Sequence, residues 1–133
     1  MIELDSVFFK EIVEQGLREF PNEACGLIAA AGGAPVKVFT MKNSDASPAS
    51  YRLDGMEQLH VFDQMDEEGW DLFAIYHTHT HSDAYPSETD RRLAFYPDAH
   101  YLILSLQDRE SPELRAFRIG EGGEVEEEEM RIS

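Results

Sequence analysis

The chain has 133 residues, 27 acidic and 11 basic, giving a formal net charge of −16, and its apolar content is 42%. That is enough apolar material for one core and excludes wholesale disorder. The acidic surplus argues against nucleic acid and against an anionic membrane surface, both of which need a basic face.

The length points to a single domain over residues 1–133. The apolar runs, such as the one containing Leu27-Ile28-Ala29-Ala30, are far too short to span a bilayer. The first residues lack the basic start and apolar core of a secretion signal, and Cys25 is the only cysteine. A cytoplasmic, reducing location is therefore expected. The surplus acid reads as solvation or high-salt adaptation ahead of a specific basic partner.

Asp5 or Ser6 can cap a first helix over residues 7–20. Val7, Phe8, Ile12, Val13, Leu17 and Phe20 make its apolar stripe, and Pro21 stops it. Residues 25–30 form a buried strand, Gly32-Gly33 a turn, and residues 36–41 a second strand pairing with the first. Glu23 stands where the helix-to-strand connection enters the sheet.

Residues 43–50 are polar, contain Ser47-Pro48, and form a loop. Asp54 caps a second helix, with Glu57 completing a capping box. Met56, Leu59, Phe62 and Met65 are expected to face the core, and Gly69 ends the helix. Residues 70–76 are a strand leading into histidines. Ser87 starts a short third helix through about residue 95, stopped by Pro97. Residues 101–106 and 114–119 are further strands, and residues 120–123 turn. The acidic tail from residue 124 is an edge strand or a solvated end, with the solvated end favoured. The pattern is a mixed α/β domain, a central β-sheet flanked by helices.

The chemistry concentrates between residues 75 and 90. His77, His79 and His81 alternate, and strand residues i and i+2 point the same way. His77 and His79 can thus approach one metal ion. Zinc takes imidazole nitrogen and carboxylate oxygen at about 2.0–2.2 Å, and a catalytic site keeps one position open. Asp90 is the best third ligand, since the turn at Pro86 can bring the next helix back over the strand end. Ser87-x-x-Asp90 also reads as an ordinary helix cap. One carboxylate oxygen is not expected to serve both roles fully. His81 reads as a surface residue, and His60 and His100 as packing or surface residues. Other hydrolase patterns fit worse. A metallo-β-lactamase-like site needs aspartate at position 81 and histidine at 82, where the chain has His81 and Ser82. Amidohydrolases need a large barrel, and nucleoside deaminases need paired cysteines.

His77-x-His79, seven residues, then Ser87-x-x-Asp90 resembles the full signature of the JAMM (MPN-plus) zinc metallopeptidases. A second, separate segment, Glu23-Ala24-Cys25-Gly26-Leu27, resembles the family's upstream glutamate motif. The resemblance implies a JAMM/MPN-like fold, similar to cytidine deaminases, and one Zn2+ per chain held by His77, His79 and Asp90. It implies that Glu23 moves the proton between attacking water and leaving amine, and that Ser87 steadies the tetrahedral oxyanion. Departures from the commonest pattern are Thr78 and Thr80. Residues Ala84-Tyr85-Pro86-Ser87-Glu88-Thr89-Asp90 and Ser47-Pro48-Ala49-Ser50-Tyr51-Arg52-Leu53-Asp54 look most like the small bacterial members that release cysteine from a sulfur-carrier protein. The implied substrate is a small ubiquitin-like or sulfur-carrier protein with a C-terminal Gly-Gly. The alternatives are a general isopeptidase and a non-catalytic MPN scaffold. Cys25 reads as a packed small residue, since no His or Asn is placed to activate it.

Overall fold

The structure is a computed structural model describing residues 1–133. In chain order it runs β1 (Ile2–Leu4), α1 (Ser6–Glu19), β2 (Cys25–Ala31), β3 (Ala34–Met41), α2 (Gly55–Glu68), β4 (Asp71–His79), α3 (Glu88–Arg92), β5 (His100–Ser105), β6 (Glu113–Ile119), β7 (Val125–Glu128) and β8 (Met130–Ile132). Six strands make one mixed sheet in the order β3-β2-β4-β5-β6-β7, and β1 pairs with β8 separately. The β4–β5 pair is parallel, and α3 lies in its connection. The mixed α/β architecture expected from the sequence is present.

The central strands β2, β4 and β5 are covered on both faces, which is why they read as near-continuous apolar runs. One face packs Ile28, Ala74, Tyr76, Leu102 and Leu104 against Ile12 of α1. The other packs Leu27, Ala29, Ile75 and Tyr101 against Val61 and Met65 of α2. Each fully buried Leu or Ile among them contributes about 1.5–3 kcal/mol. Gly26 is required by close approach: a Cβ there would lie 2.3 Å from the Tyr76 hydroxyl.

Several expectations are corrected. The Asp5 cap is present, its side chain accepting from the Val7 N–H at 2.9 Å, but Val7 and Leu17 face solvent. Gln15 and Gly16 take the buried positions instead. In α2, Met56 and Leu59 are 63% and 52% exposed, whereas Val61 and Met65 are buried. A stripe of every third residue slips about 60° around the helix per step, so only an i, i+4 pair stays on the core side. The Asp54 cap forms, but Glu57 turns away and accepts from the Lys42 N–H, so the reciprocal box is missing. Helix α3 ends at Arg92 rather than near residue 95. It buries no side chain, and a single turn without a buried face does not propagate. The acidic tail is structured: β7 closes the sheet edge on β6, and β8 pairs with the unanticipated β1.

Candidate metal centre

Strand β4 runs on through His79, so both histidines belong to the strand and not to the loop after it. They project to the α2 side of the sheet, the side of Ile75. His77 Nε2 and His79 Nε2 lie 3.1 Å apart. Asp90 Oδ2 lies 3.1 Å from the first and 2.9 Å from the second. His81 takes no part. It is exposed, beside the Phe20 ring and the Thr80 hydroxyl.

Helix α3 is short because its work is local. The Ser87 Oγ accepts from the Asp90 N–H at 3.0 Å, while Asp90 Oδ2 accepts from the Ser87 N–H at 2.9 Å. This capping box aims the carboxylate inward. The same Oδ2 therefore caps the helix and faces both histidines, against the expectation that one oxygen could not do both. The cap uses a lone pair of the Ser87 hydroxyl and leaves its O–H to donate.

The arrangement suits a divalent cation. Three lone-pair atoms converge on one point, and tetrahedral bonds of about 2.0–2.1 Å place donors roughly 3.3 Å apart. Three acceptor atoms this close repel one another, and a cation at their centre would balance them. His79 Nδ1 lies 2.8 Å from the Asp83 carbonyl and donates to it, which turns Nε2 inward. These three residues form a candidate metal-binding group.

Glu23 joins them through strand register. Cys25 opposes His77 in the β2–β4 ladder. Just beyond, the Thr78 N–H donates to the Ala24 carbonyl at 2.9 Å, and the Ala24 N–H donates to Thr78 Oγ1 at 2.8 Å. The same register, continued past the end of the ladder, carries Glu23 toward His79 on the same face, and the His79 and Asp90 charges both act on its carboxyl. Glu23 is 5% exposed. Burial, reinforced by the Asp90 charge and opposed by His79, pushes its carboxyl up to about 8. Burial disfavours a charged Asp90 as well, yet the histidine contacts and the Ser87 N–H hold it well below the usual carboxylate range. Burial pulls His77 down; for His79 the same pull is outweighed by Asp90 and the Asp83 carbonyl, so it is raised. Cys25 is buried and pushed up to about 12, far from thiolate chemistry.

A cleft of about 520 Å³ opens beside Asp90, lined by Tyr51, Leu53, Leu93, Phe95, Tyr96 and Tyr101 among others. The sequence reading passed over two residues here. The Tyr51 ring stacks on His77, centroids 4.2 Å apart and planes 17° apart. Asn43 is buried and bonds to the backbone on both sides of Tyr51. The signal for Tyr51 was its place in the Tyr51-Arg52-Leu53-Asp54 segment; Asn43 left none.

No helix is long and apolar enough to cross a membrane. The family model for prokaryotic homologs of the JAB domain matches residues 5–120. Over 118 residues the chain is 43% identical to the CysO-cysteine peptidase of Mycobacterium tuberculosis, covering 87% of this chain and 81% of that one. It is 34% identical over 110 residues to a probable TtuB-protein conjugate cleaving protease of Thermus thermophilus, covering 82% of this chain and 70% of that one. A solution structure of a protein from Desulfitobacterium hafniense superposes with a TM-score of 0.88 at 35% identity, over 100% of this chain and 93% of the other.

Proposed function

This chain belongs to the prokaryotic JAB-domain family, and from that we propose that it is a zinc-dependent hydrolase of the amide bond after the C-terminal Gly-Gly of a small ubiquitin-like or sulfur-carrier protein, releasing cysteine. The observation that carries this reading is the convergence of His77, His79 and Asp90 at 2.9–3.1 Å, with buried Glu23 beside them. The Mycobacterium relative, named a CysO-cysteine peptidase, supports the release of cysteine.

In this reading His77 Nε2, His79 Nε2 and Asp90 Oδ2 hold the zinc. When bound, zinc polarises the scissile carbonyl and brings the pKa of a water toward about 7. Glu23 takes the proton from the attacking water and delivers it to the departing amine. A carboxyl whose pKa sits near neutrality suits both transfers. The Ser87 O–H, not used by the helix cap, donates to the developing oxyanion. The cleft beside Asp90 takes the groups that flank the scissile bond.

The second reading, removal of a modifier from protein lysines, draws support from the Thermus relative. A scaffold role would be expected to lose metal donors, and this chain keeps all three and Glu23. The deciding experiment offers the purified protein a carrier–cysteine adduct and a carrier–lysine conjugate, with metal analysis of the same sample. Rapid cleavage of the cysteine adduct and about one zinc per chain are expected. Cleavage of the lysine conjugate alone would move the reading to an isopeptidase. A protein that takes up no zinc would end the hydrolase reading.

A further inference from the structure

The two histidines of the trio are held by different means. His79 is fixed through its second nitrogen by the Asp83 carbonyl. His77 has no such tie: its Nδ1 is buried and makes no hydrogen bond. Ligating histidines almost always anchor their ring through that nitrogen. A histidine χ2 is broad and roughly two-fold, so an unanchored ring swings. What faces His77 instead is the ring of Tyr51, stacked at 4.2 Å. Stacking sets the plane of the imidazole, and Asp90 Oδ2 at 3.1 Å selects the edge that points inward.

Tyr51 is itself held from both sides. Asn43 Nδ2 donates to the Ser50 carbonyl at 2.9 Å and to the Glu23 carbonyl at 3.0 Å. Its Oδ1 accepts from the Arg52 N–H at 3.1 Å and from the Asp45 N–H at 3.0 Å. One buried side chain thus grips both neighbours of Tyr51 and the backbone of Glu23. The loop is pinned to the site at two further points. The Glu23 N–H donates to the Ser47 carbonyl at 2.9 Å, and the Thr80 hydroxyl donates to the Pro48 carbonyl at 3.1 Å. Within the loop, Ala46 adopts φ +44°, the one non-glycine residue in the left-handed region. A side-chain-bearing residue stays there only where its surroundings over-determine it.

We propose that Asn43 and Tyr51 are positioning residues for the metal centre: Asn43 clamps the loop so that the Tyr51 ring fixes His77, replacing the hydrogen bond that His77 Nδ1 lacks. This rests on the trio being a metal site and is independent of the substrate. The test is zinc affinity of the metal-free protein, by competition with a chromophoric chelator, together with the visible spectrum of the Co2+ form. Tyr51→Phe keeps the ring and is expected to bind zinc within about twofold of wild type. Tyr51→Leu removes it and is expected to weaken zinc about 10-fold or more, the scale of lost outer partners, and to shift the Co2+ bands. Asn43→Ala is expected to lose a similar amount. The double variant Asn43→Ala/Tyr51→Leu should be no weaker than Tyr51→Leu, because Asn43 acts through Tyr51. Wild-type affinity in Tyr51→Leu, or equal losses in the Phe and Leu variants, overturns the role of the ring; additive losses overturn the clamp. If Asn43→Ala does not fold, the two Tyr51 variants decide. A wild-type protein that binds neither ion overturns the metal reading together with this inference, whereas a wild type that binds beside an unaffected Tyr51→Leu overturns this inference alone.

Discussion

Two histidine–carboxylate clusters in this molecule are alike in their close contacts and differ in what they can do. At the end of β4, His77 and His79 meet Asp90 at 3.1 and 2.9 Å. At the sheet edge, His100 Nδ1 meets Glu128 Oε1 at 2.6 Å. The second contact is finished. Arg118 lies 3.6 Å from the same oxygen, so the Glu128 charge already has a cation, and the contact ties β7 to β5. The first is unfinished: three lone-pair atoms converge, one ring nitrogen is turned inward by a carbonyl, and no side-chain cation stands among them. Closeness of histidine and acid therefore does not mark a metal centre. Convergence of donors that lack a positive charge does.

That contrast can be broken by substitution, and the largest effect is expected at its strong end. Asp90→Ala should drop zinc from about one per chain to trace levels by metal analysis and abolish turnover. Unchanged zinc stoichiometry would return Asp90 to a capping role. Glu23→Gln should keep full zinc but lose about 10²–10⁴-fold in kcat, the worth of a positioned acid–base; retained turnover would remove Glu23 from the chemistry. Ser87→Ala should keep most zinc and lose up to about 10²-fold in kcat. Its Tm should also fall, because an N-cap contributes about 0.5–2 kcal/mol. At the weak end, Glu128→Gln should leave zinc and kcat within twofold and cost about 0–1 kcal/mol in urea unfolding, as partly exposed ion pairs do. A loss of zinc in Glu128→Gln would erase the distinction between the two contacts. The smallest effect is a null: with its pKa near 12, the Cys25 thiol should resist iodoacetamide at pH 8 in the folded protein and react after unfolding.

The parts of the fold that follow from short-range patterning were legible in the chain. Alternation put His77 and His79 on one side of a strand, and Ser87-x-x-Asp90 announced a capped helix. The stripe of α2 was misplaced because hydrophobicity alone does not say which arc of a helix meets the sheet, and Met56 and Leu59 ended outside. Strands β1 and β8, three residues each and separated by most of the chain, carry no local signal at all. Their pairing exists only because the ends of the chain meet.

The sequence by itself determined the donor types, their local spacing and the mixed α/β order, since these depend on backbone periodicity and capping within a few residues. Spacing and resemblance named Asp90 and Glu23 in advance, but only the tertiary structure decided how these two of the 27 acids reach the histidines. Antiparallel register carries Glu23 to the side of His79 across more than fifty residues, and burial there raises its carboxyl toward neutrality. It also decided that one oxygen of Asp90 serves the helix cap and both histidines, and that Asn43 and Tyr51 stand behind His77. Those outcomes depend on register, desolvation and the closing of a loop over a strand end, and these are fixed only when distant parts of the chain pack together.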